Sequence, residues 1–358
     1  MRLKVTHMLM GVCVATASVS CSNELVDDGL RPVGGNDSEG ISFVVADDYT
    51  RGGSFENRPG LSTRATVTTT DNIKKKSFAV YGDMKPLDSS NNPIVIFNGD
   101  EVSHDGSEWK YSNTRYWFSN YDYSFAAVHP KLDNKAAIQN LKYTDNSLSF
   151  TYSPSTYSDG IDIMTATHRR NSNTAVTPVN FEFHHILSRI NFKAKVDNTA
   201  VNDIIITHLA LVNVPAKADY SITAASTGTN TNDYTEKWSD FLDKDTNNPL
   251  FEFSDEITIA KGTTKEFFPM EDALMIIPQE VPDDVELQIT YTTKNSGKST
   301  TASTKLKNLT ITAHNGVWEM GKAYTYSFTL GDNESIIFNV PTVQDWNEAE
   351  GGNYVITD

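Results

Sequence analysis

The sequence predicts an all-β protein built from two tandem β-sandwich domains. Apolar and polar residues alternate over residues 148–152 and 324–330, which is the pattern of strands with one buried and one exposed face. Turn sequences such as Asn98-Gly99-Asp100 and Asn315-Gly316 recur at short intervals, as expected of many short strands. A chain of 358 residues is also longer than one hydrophobic core usually serves, so we expect two domains.

The predicted boundary between the domains is the polar segment Asp197-Asn198-Thr199-Ala200. It follows one alternating strand and precedes the apolar run at residues 204–214. The N-terminal domain is therefore predicted over residues 41–196 and the C-terminal domain over residues 197–358. Brief helices are expected only at residues 135–141 and 234–242.

Acidic residues outnumber basic ones. The chain has 30 Lys and Arg against 46 Asp and Glu, a net charge of −16, which disfavours binding to nucleic acid or to anionic membrane surfaces. Both cysteines, Cys13 and Cys21, lie near the N-terminus, so we expect no internal disulfide in the rest of the chain. Stability must then come from burial and strand pairing.

The N-terminus has the form of an export signal. Arg2 and Lys4 precede an apolar run, and small residues follow it up to Cys21. This order resembles a lipobox, at which Cys21 would be acylated and tied to a membrane, while the alternative is an ordinary secretion signal cut near Ser20. Residues 1–20 are therefore predicted to be a lipoprotein signal peptide. Residues 21–40 have the Gly, Pro and acidic content of a flexible tether.

The sequence offers no convincing catalytic or metal-binding constellation. His184 and His185 are adjacent, and neighbours on a strand point to opposite faces, so the two cannot chelate one ion. We expect one of them to be buried and hydrogen-bonded and the other to be solvated. Gly297-Lys298-Ser299 resembles the end of a phosphate-binding loop, but the first glycine of that loop is missing and a turn is the better interpretation. We therefore expect no enzyme activity, no metal and no cofactor.

Five tryptophans and fifteen tyrosines allow two interpretations. On an exposed face they would form a carbohydrate-binding platform, and inside the sandwiches they would fill the core. Core packing is favoured because segments such as Tyr116-Trp117-Phe118 fall in strand-like sequence. A cell-surface glycan-binding lipoprotein is the alternative function, and several exposed aromatic residues on one face would distinguish it.

Several motifs, taken in order, resemble the fimbrillin family, the subunits of type V pili. A lipoprotein signal ending at Cys21 is followed by short aromatic and aliphatic motifs over nearly the whole chain. They are Ile41-x-Phe43, Thr63-Arg64-Ala65, Phe78-x-Val80-Tyr81-Gly82, Trp109-x-Tyr111, Tyr123-x-Phe125-x-Ala127, Phe181-x-Phe183-His184-His185 and Trp318-x-Met320-Gly321-Lys322. Each motif alone is weak, and it is their order that makes the resemblance fairly specific.

The resemblance implies transthyretin-like, Greek-key sandwiches and a mechanism of assembly. In such pilins the subunit is exported as a lipoprotein, an arginine-specific protease removes an N-terminal strand, and the vacated groove accepts a strand from the next subunit. Here the removed strand would contain Ile41, Phe43 and Val45, and the cut would fall between Arg64 and Ala65. Arg51 is the second candidate for cleavage, and the alternative is that both arginines are ordinary loop residues.

The C-terminal Tyr354, Val355 and Ile356 form the candidate donor strand, since Gly351 and Gly352 before them would free the segment. The alternative is that they form the last strand of the C-terminal domain. The implied partners are other pilus subunits, an arginine-specific processing protease, the outer membrane through the acyl chains, and a host or bacterial surface ligand. A head-to-tail contact of this kind does not close and builds a filament, so the expected location is the outer membrane and a surface fimbria.

Overall fold

The computed structural model of the chain describes residues 40–46, 73–87, 92–132, 135–154, 160–171, 177–225, 232–242, 251–253, 255–267, 274–294, 299–331 and 336–345. Their regular secondary structure is almost entirely strand, arranged in several sheets, and the predicted all-β sandwich fold is confirmed. Within these ranges, no helix has both the length and the apolar character needed to cross a membrane.

The first thirteen strands run as far as residue 224. They are β1 (Phe43–Val45), β2 (Phe78–Pro86), β3 (Ile94–His104), β4 (Trp109–Lys110), β5 (Tyr121–His129), β6 (Ile138–Thr144), β7 (Ser147–Tyr152), β8 (Met164–Arg170), β9 (Val179–Phe181), β10 (His184–His185), β11 (Ser188–Val196), β12 (Ile204–Val212) and β13 (Lys217–Ala224).

The remaining twelve strands and one helix follow. They are β14 (Tyr234–Leu242), β15 (Phe251–Phe253), β16 (Ile257–Ile259), β17 (Thr264–Glu266), β18 (Leu274–Ile276), β19 (Gln279–Glu280), β20 (Glu286–Thr293), β21 (Ser299–Lys305), α1 (Leu306–His314), β22 (Val317–Trp318), β23 (Lys322–Leu330), β24 (Ile336–Phe338) and β25 (Thr342–Asp345).

The first sandwich packs two antiparallel sheets face to face. A six-stranded sheet with the order β10-β8-β5-β2-β3-β4 lies against a four-stranded sheet with the order β14-β13-β7-β6. Tyr81 and Val128 from the first sheet meet Phe150 and Tyr220 from the second in one apolar core. Leu148, Phe150 and Tyr152 of β7 all lie in this core, as their alternation in the sequence predicts.

The six-stranded sheet is buried on its other face as well. Phe78, Val80 and Phe125 belong to a second core on that side, to which β1 and β9 also contribute. Strand β2 is consequently buried at seven consecutive positions instead of every second one. The sheet is thus a middle layer, and β1 belongs to the layer that covers it.

The second sandwich pairs another two sheets. One has the order β17-β11-β23-β24 with β18 and β25 added, and the other has the order β15-β12-β20-β21 with β16 added. Strands β11 and β23 run parallel, with Arg189 opposite Ala323 and Val196 opposite Leu330. The two sheets share one hydrophobic core, which also receives Leu306 from α1.

The sheets extend across the predicted boundary at residues 196 and 197. Strands β13 and β14 lie after it, yet β13 pairs with β7 of the first sandwich. Strand β11 lies before it and pairs with β23 of the second sandwich. The division into an N-terminal β-sandwich domain of residues 41–196 and a C-terminal one of residues 197–358 stays a prediction.

Both predicted helices are wrong. Residues 138–144 form β6 and Tyr234–Leu242 forms β14. In β14 the left-handed backbone of Asp240, with φ of 52°, accompanies a shift of register opposite β13, which breaks the period-two pattern that identifies strands. The helix that does form, α1, ends at Asn315, whose φ is 51°, so Asn315-Gly316 is a turn as predicted.

Candidate strand-binding groove

Strand β1 and its flanking residues lie in a groove as an extended segment. Its side chains alternate, so that Ile41 and Phe43 are each 3% exposed while Val44 is 41% exposed. Val45 is half-buried and packs against the same core. The alternation of Ile41, Phe43 and Val45 that the sequence shows is therefore an alternation between the core and solvent.

The side chain of Phe43 is surrounded by aromatic rings. It stacks on Phe181 with centroids 5.7 Å apart and planes 10° apart. Four more rings meet it edge to face, with centroid separations of 5.4 to 6.4 Å, namely Phe78, Phe97, Tyr111 and Phe125. Both arrangements are the favourable ones for aromatic pairs, so the pocket fits a flat ring specifically.

A glycine brings one of these rings close to β2. A Cβ atom added to Gly82 would lie 2.8 Å from the ring of Phe125 and 3.1 Å from the carbonyl oxygen of Ser124. Gly82 is paired with Phe125 between β2 and β5. The missing side chain at this position therefore leaves room for the Phe125 ring on the floor of the groove.

Backbone groups of the segment are hydrogen-bonded along both edges. On one edge, the amide of Ile41 donates to the carbonyl of Arg115 at 2.8 Å, and the hydroxyl of Tyr111 donates to the carbonyl of Ile41 at 2.7 Å. On the other edge, the amide of Val179 donates to the carbonyl of Ser42 at 2.8 Å. There the segment runs parallel to β9, with Phe43 opposite Val179 and Val45 opposite Phe181.

Arg115 holds the loop that forms the first edge. Its guanidinium donates to the carbonyls of Ile96, Ser112 and Asn113 at 2.7 to 3.1 Å. It also pairs with Asp100 at 2.7 Å and lies 4.8 Å from the centroid of the Phe97 ring. Since one side chain ties together the loop, β3 and a ring of the pocket, Arg115 fixes the position of the groove wall.

The hydroxyl of Tyr111 stays protonated in this setting. Burial raises the pKa of Tyr111 above its usual value. The same hydroxyl accepts the amide of Arg115 at 3.2 Å while it donates to Ile41. Tyr111 is therefore a neutral donor for any strand that occupies the position of Ile41.

Only part of the predicted site can be placed. Ile41, Phe43 and Val45 lie in the groove, on one face of one segment. The other predicted residues lie outside the described ranges, namely Cys21, Arg51, Arg64, Ala65, Tyr354, Val355 and Ile356. Lipidation, cleavage and strand donation stay predictions for them.

The sequence did not identify the groove wall. Tyr111 and Phe181 are named in the aromatic motifs above, but no local pattern assigns them to Phe43, from which Phe181 is separated by more than a hundred residues. Arg115 carries no motif at all. The pairing of β1 with β9 brings Phe181 to Phe43, and the hydrogen bonds of Ile41 bring Tyr111 and Arg115 to the other edge.

The two adjacent histidines have separate partners. His185 is buried and its Nδ1 lies 2.8 Å from the carboxylate of Asp162. His184 is half-buried, lies 2.9 Å from Glu236 and stacks on Tyr234, so the expectation that the second histidine is solvated is wrong. Among the described residues no group of three or more His, Cys, Asp or Glu side chains is placed to hold a metal ion.

The described tryptophans contribute to the cores. Trp117 and Trp318 are fully buried, and Trp109 lies 5.0 Å from Phe78 between ring centroids. Trp238 donates from its indole nitrogen to the carbonyl of Ile186 at 2.9 Å. These placements agree with core packing and give no support to a carbohydrate-binding platform made of tryptophans.

The chain is similar to one family of known proteins and to several solved structures. A family model described as fimbrillin-like matches residues 63–346. A fimbrial protein from Bacteroides vulgatus has a similar crystal structure, with a TM-score of 0.56 and 18% identity over 86% of this chain and 99% of that one. The fimbrial anchor protein Mfa2 from Porphyromonas gingivalis has a TM-score of 0.32 and 11% identity over 76% of this chain and 89% of that one. No curated protein sequence matches the chain.

Proposed function

Because the chain belongs to the fimbrillin-like family, we propose that it is a fimbrial subunit that assembles by exchanging the strand in its β1 groove. The family implies a structural subunit at the cell surface, without enzymatic activity. Strand exchange, lipidation and proteolytic processing are the parts that go beyond family membership.

The observation that carries the proposal is the seating of β1. The segment is short, yet it places Ile41 and Phe43 in an apolar core and is hydrogen-bonded along both edges. It is joined to β2 through residues 47–72, which include both Arg51 and Arg64. A single cut in that stretch would therefore leave β1 held only by the groove.

Loss of β1 would leave a site that requires an occupant. The carbonyls of Arg115 and Phe181 and the amide of Val179 would each lose a backbone partner, and an aromatic pocket would open to water. Unpaired edge groups and exposed apolar area are both costly. An extended strand with alternating apolar side chains satisfies both, which is the general mode of strand addition.

The proposed route begins with export as a lipoprotein acylated at Cys21 and held in the outer membrane. Labelled palmitate should then enter the chain, and Cys21→Ser should abolish its incorporation. Cys13→Ser is the matched control, since Cys13 lies within the signal peptide and should not affect labelling. Incorporation that persists in Cys21→Ser would contradict this step.

Processing is proposed after Arg64, with Arg51 as the second candidate, by an arginine-specific protease. The test treats purified residues 22–358 with such a protease and follows fragment masses together with oligomer size by chromatography. We expect loss of a fragment that contains Ile41 and Phe43, followed by growth of SDS-resistant oligomers. The uncut control is the Arg51→Ala, Arg64→Ala double variant, and a processed chain that stays monomeric would contradict the proposal.

A further inference from the structure

The groove has three side-chain positions of different character. The position of Phe43 is enclosed by five aromatic rings, so truncation to a smaller side chain would leave a cavity there. The positions of Ile41 and Val45 lie on either side of it and contact the same core. An occupant that fills all three needs an aliphatic residue, an aromatic residue and an aliphatic residue at alternate positions.

The pattern Ile-x-Phe-x-Val occurs twice in the chain. The first copy is residues 41–45, which occupy the groove, and the second is residues 336–340. Phe43 and Phe338 stand third in the two copies, and strands cover Phe43–Val45 of the first copy and Ile336–Phe338 of the second. The repeat places the same three side chains in the same order.

The second copy includes the edge strand of a sheet in the second sandwich. Strand β24 pairs along three residues with β23, from Phe328 to Leu330, and the amide of Asn339 donates to the carbonyl of Ser327 at 2.9 Å. Ile337 is 57% exposed and Val340 is 52% exposed, while Phe338 is only partly buried against the core. Large apolar side chains exposed along an edge strand favour pairing with another chain.

We infer that the groove is selective for a strand reading Ile-x-Phe-x-Val, and that Ile336, Phe338 and Val340 of a second copy of this chain supply it. The inference rests on the strand exchange proposed above and names its partner. The incoming segment lies parallel to β9, as β1 does, with Phe338 in the pocket of Phe43.

The backbone of this segment fits the hydrogen bonds of the groove with one exception. Tyr111 donates to the carbonyl of Ile336, and Val179 donates to the carbonyl of Ile337. Pro341 falls at the position of Ala46, whose amide donates to Phe181 at 3.0 Å, and proline has no amide hydrogen to do so. The match therefore covers residues 336–340 and ends there.

The C-terminal candidate fits less well in the same direction. With Tyr354 in the aromatic pocket, Ile356 takes the position of Val45 and Gly352 takes that of Ile41. Glycine has no side chain, so this segment fills two of the three positions. Residues 336–340 fill all three.

The experiment measures how fast labelled peptides replace the bound strand in full-length residues 22–358 after arginine-specific cleavage. The probes are peptides of residues 40–46, 334–341 and 350–358, together with Phe338→Ala and Ile337→Ala versions of the second. Ile337 is the matched control because it takes the outward position of Ser42. We expect residues 334–341 to enter the groove faster than residues 350–358. The Phe338→Ala change should weaken binding by at least about 100-fold and the Ile337→Ala change by less than about threefold.

The outcomes separate the two proposals. If peptide 40–46 does not enter the groove, strand exchange itself is contradicted, and the inference with it. If peptide 40–46 enters but peptide 334–341 does not, or if Phe338→Ala binds as well as the parent peptide, only the choice of partner strand is overturned. Tighter binding of peptide 350–358 would likewise assign donation to the C-terminus.

Discussion

The ring of Phe43 lies flat against the ring of Phe181, with centroids 5.7 Å apart and planes inclined by 10°. Phe181 belongs to the strand that pairs with β1, so the same neighbour supplies both a stacking surface and a backbone edge. The contact joins the segment before residues 47–72 to the body of the protein. Its strength should decide how long β1 stays in place once the chain is cut.

Substitutions at Phe43 and Val44 should show that β1 stabilises the folded protein through its buried side chain and not through its exposed one. Phe43→Ala removes a ring from an enclosed pocket and should lower the free energy of unfolding by about 3 kcal/mol. Val44→Ala changes the neighbouring, largely exposed side chain and should cost less than about 0.5 kcal/mol. Urea denaturation of the uncut chain measures both, and equal effects would show that β1 does not depend on the aromatic pocket.

Loss of the Arg115 guanidinium should loosen the groove wall. Arg115→Gln removes the pairing with Asp100 and the hydrogen bonds to three carbonyls, which should cost about 2 kcal/mol and speed hydrogen exchange at the Ile41 amide. Lys110→Gln is the control because it removes the exposed pairing of Lys110 with Asp105. If hydrogen exchange at the Ile41 amide is as slow in Arg115→Gln as in this control, Arg115 does not hold the groove wall.

His129 should make the protein less stable in mild acid. Burial lowers the pKa of His129 from 6.5 to about 4, and neither ring nitrogen has a hydrogen-bond partner in the described part of the chain. Between pH 6.5 and pH 4, His129 binds a proton in the unfolded chain but not in the folded chain. Stability should therefore fall as pH drops from 6.5 to 4, by up to about 3 kcal/mol from this group.

The matching variant is His129→Leu, which removes the titrating ring but keeps an apolar side chain. Its stability should change less between pH 6.5 and 4 than that of the parent chain, measured by denaturation at each pH. If the stability of His129→Leu falls between pH 6.5 and 4 by as much as that of the parent chain, His129 does not titrate in this way.

Asp83 should change stability with pH in the opposite direction to His129. Burial raises the pKa of Asp83 from 3.8 to about 6, so the folded chain binds a proton more readily than the unfolded chain. This group therefore costs stability above pH 6, and the cost is relieved as pH falls from 6 to 3.8. Asp83→Asn should stabilise the protein at pH 7 by up to about 3 kcal/mol.

The control for Asp83→Asn is Asp240→Asn, which changes an exposed carboxylate and keeps a residue type that tolerates the positive φ at this site. It should leave stability at pH 7 unchanged. A loss of stability in Asp83→Asn would mean that the charged carboxylate is needed by its neighbours, which include Tyr143.

The parts of the fold that depend on local pattern could be predicted. Burial alternates at every position of β20 and over most of β7 and β23, as their sequences do. Strands β2 and β5 do not, because both faces of their sheet are covered. Helix α1 was missed because its sequence, LKNLTITAH, contains β-branched residues that favour strands in isolation.

The sequence predicts the strand that occupies the groove but not the groove itself. The alternation of Ile41, Phe43 and Val45 identifies a strand and its inward face. The groove itself is formed by residues distant in sequence. Phe97 lies on β3, Tyr111 lies in the loop before β5, and Phe181 lies on β9, so the three meet only in the folded protein. No periodicity within a short window contains that information.

A reversible clamp on β1 tests the central claim most directly. Val44 lies opposite Asn180 across the parallel pairing, and adjacent strands are close enough for a disulfide. Residues 22–358 contain no native cysteine, so a Val44→Cys, Asn180→Cys chain carries only the clamp. After arginine-specific cleavage, the oxidised chain should stay monomeric and the reduced chain should form SDS-resistant oligomers. Oligomers that form equally well with the clamp oxidised would contradict assembly through release of β1.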